Sequence, residues 1–72
     1  MNVIEEYTEG SAKACIIPVF TFTGLYGVIF YKDEKEVSRE PFKIRWHELI
    51  DPTEWNTVRS YIKAKVKELG QQ

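Results

Sequence analysis

At 72 residues with 43% hydrophobic content, the chain is long enough for one domain, residues 1–72, and sits near the size below which a hydrophobic core alone struggles to sustain a fold. Ten Lys and Arg against eleven Asp and Glu leave a net charge of −1, which excludes the global field that draws a basic protein to nucleic acid or an acidic membrane. Three glutamates, Glu5, Glu6 and Glu9, fall in the first ten residues, and without them the remainder is +2.

The single cysteine, Cys15, cannot form an internal disulfide, and no charged leader with an apolar core precedes the domain. The longest apolar run is short of the ~20 residues that span a bilayer and is broken by Pro18 and Thr21. The expectation is a cytoplasmic, intracellular protein with no membrane partner.

Residues 2–8, NVIEEYT, alternate loosely and fit a short edge strand, which Gly10-Ser11 ends. Residues 12–32 then carry two β-rich runs joined at Thr23-Gly24, a hairpin signal. With those two as the loop, Phe22 pairs with Leu25, Phe20 with Gly27, Pro18 with Ile29 and Ile16 with Tyr31. Cys15, Ile17, Val19 and Thr21 then share the opposite face with Tyr26, Val28, Phe30 and Lys32. Pro18 lacks an amide hydrogen and belongs where its strand has an unpaired side or a bulge.

Residues 32–36, KDEKE, read as a charged, solvated loop. Residues 37–46 alternate, with Phe42, Ile44 and Trp46 on one side and Lys43 and Arg45 on the other, and predict a half-buried strand whose start Pro41 delays. Asp51-Pro52-Thr53-Glu54 then combines an N-cap carboxylate, a proline at the first helical position and a glutamate at the third, with Ile50 and Trp55 as a hydrophobic staple. Trp55, Val58, Ile62, Val66 and Leu69 recur at helical spacing as one stripe, Arg59, Lys63, Lys65 and Lys67 lie elsewhere, and Gly70 stops the helix. The predicted fold is α+β: an antiparallel four-stranded β-meander followed by one C-terminal helix, ββββα.

Both faces of the hairpin are mostly apolar, and one helix covers only one of them. A second copy of the chain, another protein or a stack of bases is expected on the other.

The helix start, Ile50-Asp51-Pro52-x-Glu54-Trp55-x-x-Val58-x-x-x-Ile62, resembles the segment that opens the C-terminal helix in the positive-cofactor-four type of single-stranded-DNA-binding transcriptional coactivators. The resemblance extends back without an obvious gap to Phe22-x-Gly24, with few identities. It implies the same ββββα order, a homodimer paired largely through the helices, and single-stranded nucleic acid laid across the exposed strands. Phe22 matches a nucleic-acid-contacting aromatic of that family, and Arg45 falls on a basic position of the fourth strand. The chain departs from the pattern at Thr23 and Leu25, where the family has lysines, at Tyr31, which replaces an arginine, and at Glu34, which replaces a tryptophan.

Flat aromatic faces stack on bases for about 1–3 kcal/mol each, and Phe20, Phe22 and Tyr31 would form such a platform. Lys32, Arg39, Lys43 and Arg45 would neutralise phosphates, making binding fall as salt rises. The plainer reading buries the aromatics in a dimer or against the helix and leaves the strand and helix cations as solvated faces. His47 and the distant Cys15 cannot supply a metal's ligands alone, and no local motif places a base beside Cys15. The carboxylate pairs Glu5-Glu6 and Glu34/Glu36 lie in a terminus and a charged loop, away from the desolvation that tunes acid/base groups. No enzyme activity and no cofactor are expected.

The leading reading is a small homodimeric single-stranded nucleic-acid-binding protein, a transcription or replication accessory, using Phe20, Phe22, Tyr31, Lys32, Arg39, Lys43 and Arg45. The alternative is a protein–protein interaction module, an adaptor or inhibitor, docking through an apolar sheet face.

Overall fold

A computed structural model describes residues 2–44 and 53–72. Four strands, β1 (Glu5–Glu9), β2 (Ala12–Phe20), β3 (Leu25–Lys32) and β4 (Lys35–Lys43), form one antiparallel sheet in sequence order, and a helix, α1 (Thr53–Gly70), follows. This is the ββββα architecture that the alternation and the helical stripe predict. Arg45, Trp46, His47, Ile50 and the Asp51-Pro52 cap lie outside the described residues.

The hairpin register differs from the expected one. Ile16 pairs with Val28 and Ala14 with Phe30, an odd slip that exchanges the faces of the two strands up to Pro18. Two residues of the slip come from the connection, and the third, which makes it odd and exchanges the faces, from a register shift between Pro18 and Phe20. Thr21–Thr23 form one turn of 3₁₀ helix that Gly24 closes at φ 79°, its amide donating to the Thr21 carbonyl at 3.0 Å, so the loop is longer than the Thr-Gly pair. The expected charged loop, in contrast, is shorter. Asp33 (φ 52°) and Glu34 (φ 68°) make a two-residue turn of the kind that suits strand twist, and Lys32, Lys35 and Glu36 already belong to strands.

Both strand prolines stand where no ladder bond is lost. The Ile44 amide donates to the Gly24 carbonyl at 2.9 Å, which sets the phase of the β3/β4 ladder: Tyr26/Phe42 and Val28/Glu40 are bonded pairs and Gly27/Pro41 is not. The Pro41 nitrogen therefore faces outward from the edge strand, and β4 runs through Pro41 rather than starting after it. Pro18, opposite Tyr26, turns its nitrogen away from β3 and past the end of β1, whose last pair is Glu5/Ile16.

One face of the sheet carries Tyr7, Ala12, Ala14, Ile16, Val28 and Phe30, and α1 lies on it, chiefly over β1 and β2. The small Ala12 and Ala14 let the helix approach, and Ile62 and Val66 fill the space above them. Each fully buried Ile or Phe here contributes about 1.5–3 kcal/mol. The rest of the predicted stripe, Trp55, Val58 and Leu69, packs half-buried on this core. Trp55 closes its far end by standing edge-on to Tyr26 and Phe42, at centroid distances of 5.0 and 5.9 Å.

Gly70 is the last helical residue, and its main service is contact. The chain of β1 passes so close that a Cβ on Gly70 would lie 2.3 Å from the Glu9 carbonyl oxygen.

Candidate functional site

Cross-strand partners share a face, so the registers also assign the side that the helix leaves open: Lys13, Cys15 and Ile17 from β2, Gly27, Ile29 and Tyr31 from β3, and Glu36, Arg39, Pro41 and Lys43 from β4. This side is not uniformly exposed. Ile29 is 0% accessible, Cys15 6% and Ile17 7% within the chain itself.

Long polar side chains stand on this side at one end. Arg39, beside Ile29, donates to both Glu36 carboxylate oxygens at 3.2 and 2.9 Å. Lys13 places its ammonium 5.4 Å from the Tyr31 ring centre and 3.8 Å from Glu6. Because Ile29, Cys15 and Ile17 are buried within the chain, the expectation that only an outside molecule could shield them is corrected. Burial pushes the Cys15 thiol above its ordinary pKa, and the free cysteine is a packed apolar residue here.

The other end is different. The β2/β3 pairing shifts between Pro18 and Phe20, and this bulge brings Phe20 opposite Leu25. Without it, Phe20 would follow Ile16 and Pro18 onto the helix side; with it, Phe20, Leu25 and Lys43 form one row across β2, β3 and β4 on the open face. Val19 reaches over Gly27 toward the same row. Phe22, on the 3₁₀ turn, stands against Phe20 with ring centres 6.4 Å apart. Phe22 is 94% exposed and Phe20 and Val19 each 56%, so the row continues into an uncovered apolar knuckle.

The seven residues expected at a nucleic-acid site separate accordingly. Phe20 and Phe22 come together, with Lys43 at the end of their row. Tyr31 shares the face but lies six residues along β3 from Leu25, about 20 Å at ~3.3 Å per residue. There it lines a wide bowl of 810 Å³ between the Gly10-Ser11 and Asp33-Glu34 turns. Arg39 is engaged by Glu36, whose carboxyl it holds below the ordinary range. Lys32 is on the helix side, its ammonium donating to the Leu69 and Gln72 carbonyls at 2.8 and 3.1 Å, where it complements the helix C-terminus. Arg45 lies outside the described residues. Reading the residues missed Val19 and Leu25 as members of the patch. Pro18 was the available signal, since a proline inside a strand marks a place where uniform alternation breaks.

The helix side offers one further concavity, a cleft of 320 Å³ between α1 and β4 lined by Val28, Pro41, Phe42, Val58, Tyr61 and Ile62 among others. Its carboxylate, Glu40, is occupied: Lys65 donates at 2.6 Å and the Tyr61 hydroxyl at 2.9 Å. Two further helix cations are likewise engaged. Arg59 holds Glu5 at 2.7 Å, and Lys63 stands 5.3 Å from the Tyr7 ring centre. The apolar stripe of α1 is spent on its own sheet, and the opposite side of the helix carries Asn56, Ser60, Lys63 and Lys67. Among the described residues no three His, Cys, Asp or Glu side chains gather as a metal would require, and no helix is long and apolar enough to cross a membrane. No protein-family model, no curated protein and no solved structure matches the chain.

Proposed function

We propose that the chain is a small protein-docking module whose contact surface is the bulged end of the open face: Val19, Phe20, Phe22 and Leu25. The observation that carries this is the paired exposure of Phe20 and Phe22. Scattered apolar residues on a surface need no explanation, but two large aromatics in contact and open to water make a patch of the kind that anchors interfaces. The hydrogen-bonded 3₁₀ turn that presents them, with the Gly24 amide on the Thr21 carbonyl and the Thr23 hydroxyl on the Phe20 carbonyl, adds to the case, since preorganised anchors lose little entropy on binding.

A photo-crosslinking phenylalanine analogue placed at Phe22, in the cells that make the protein, tests the reading. Covalent capture of a discrete second protein from position 22, and none from the exposed helix position Lys67, is the expected result. Equal labelling from both positions would remove the argument.

Single-stranded nucleic acid, bound by a homodimer serving transcription or replication, is the second reading. It is favoured by one observation: Phe20, Tyr31, Arg39 and Lys43 share the open face, with Phe22 beside Phe20. It ranks second because phosphate binding depends on uncompensated cations, and Arg39 and Lys13 on that face each have a carboxylate partner. Titration of labelled oligo-dT at low salt separates the two readings. Binding that Lys43→Glu with Arg39→Glu abolishes would favour nucleic acid, and no binding at tens of micromolar protein would favour docking.

A further inference from the structure

Resting on the docking reading, we infer that the partner offers an acidic segment with an apolar anchor: a short stretch in which an aromatic or large aliphatic side chain meets Phe20 and Phe22 and a neighbouring carboxylate meets Lys43. The argument is charge complementarity at this end of the sheet. Of the nine described cations five are answered from within: Lys13 by Glu6, Arg39 by Glu36, Arg59 by Glu5, Lys65 by Glu40, and Lys32 by the carbonyls at the end of α1. Lys63 stands over the Tyr7 ring, and Lys35 and Lys67 lie at the far end of the sheet and on the helix, away from the apolar knuckle. Lys43 is exposed and has no such partner among the described residues.

Among the described residues, its surroundings leave the charge uncompensated. The two rows that make this end, Ile17–Gly27–Pro41 and Phe20–Leu25–Lys43, contain no carboxylate. The nearest acids of the open face, Glu6 and Glu36, lie in rows farther along and are engaged there. An ammonium at the margin of an apolar patch gains little from a purely apolar partner and is opposed by a basic one, whereas a carboxylate next to the anchor uses both features at once. A single uncompensated ammonium meets one or two carboxylates of a peptide more readily than the repeated charge of a phosphate backbone.

Selection of random dodecapeptides on the intact chain, followed by affinity measurement, tests this without presupposing the partner. The expected peptides carry Asp or Glu within a few residues of an aromatic or large aliphatic residue. Their binding should fall about thirtyfold or more with Phe20→Ser and Phe22→Ser together and about fivefold or more with Lys43→Glu, and weaken as salt rises. These three residues are exposed, and thermal melts of the variants verify that they remain folded. Peptides that need Phe20 and Phe22 but show no acidic preference and ignore Lys43→Glu would overturn the acidic inference and leave the docking reading standing. Peptides indifferent to Phe20 and Phe22 would overturn both. Oligo-dT binding tighter than any selected peptide, and lost in the same variants, would give the surface to nucleic acid and overturn both as well.

Discussion

A methyl group added at Gly24, Gly27 or Gly70 meets three different surroundings. At Gly24 it would lie 2.1 Å from the Ile44 carbonyl oxygen on a backbone at φ 79°, and at Gly70 it would lie 2.3 Å from the Glu9 carbonyl oxygen. Backbone cannot yield as a side-chain tip can, so Gly24→Ala and Gly70→Ala should each destabilise by about 1–3 kcal/mol. At Gly27 the nearest atom is a Val19 methyl at 3.4 Å, ordinary contact, and Gly27→Ala should be close to neutral. Urea midpoints of the three variants check the order. Equal losses at all three positions would contradict the close approaches. Gly24 also bears on the docking surface, since it closes the turn that presents Phe22. A glycine between two β-rich runs is legible as a turn in the sequence; the nearness of Ile44 or Glu9 is not, because those atoms arrive from distant parts of the chain.

At the scale of the element, β4 is an edge strand with backbone groups open to solvent, an invitation to pair with another sheet. Three devices blunt it. The Pro41 nitrogen occupies the middle of the outward row, Arg39 and Lys43 flank it, and an extra residue, Val37, bulges where the β3/β4 pairing shifts between Phe30 and Tyr31. Pro41→Thr would restore an outward amide in a β-favouring residue. Sedimentation of this variant should show stronger concentration-dependent association than the parent at equal concentration, and identical profiles would remove proline from the account. The bulge in β2 works differently. It interrupts pairing near the sheet's end and moves Phe20 from the covered side to the open one, so an irregularity of one strand creates the candidate interface.

Across the whole molecule, two ion pairs tie α1 to opposite edges of the sheet. Arg59 grips Glu5 of β1, which the Tyr7 hydroxyl also bonds, and Lys65 grips Glu40 of β4 together with Tyr61. The Arg59 and Lys65 hydrogen bonds hold both carboxyls below the ordinary glutamate pKa of 4.5. Groups depressed in the folded state stabilise it fully above that ordinary value and lose their contribution as pH falls through the folded value. Stability should therefore hold near neutrality and decline below about pH 4.5, by up to about 1 kcal/mol per pair because both are partly exposed. Removing the clamps by Arg59→Met with Lys65→Met should flatten this acid limb in urea titrations. An unchanged limb would show that other carboxylates carry it.

The order of elements, the helix with its Trp55–Leu69 stripe, the edge position of β1 and the tolerance of Pro18 all follow from local pattern, because periodicity and the chemistry of proline act within a few residues. The register of the hairpin did not follow, since the 3₁₀ turn moves the pairing by two residues and the bulge by one more, with Pro18 the single local hint of the second. With the register went the layer count: a pattern of apolar residues cannot say that Ile29, Cys15 and Ile17 of the open face are buried within the chain, nor that Lys32 is committed to the end of α1. Those outcomes depend on which strands meet opposite which. Only the folded sheet, through cross-strand neighbours far apart in the chain, decided that Val19, Phe20, Phe22 and Lys43 gather at one end of the open face.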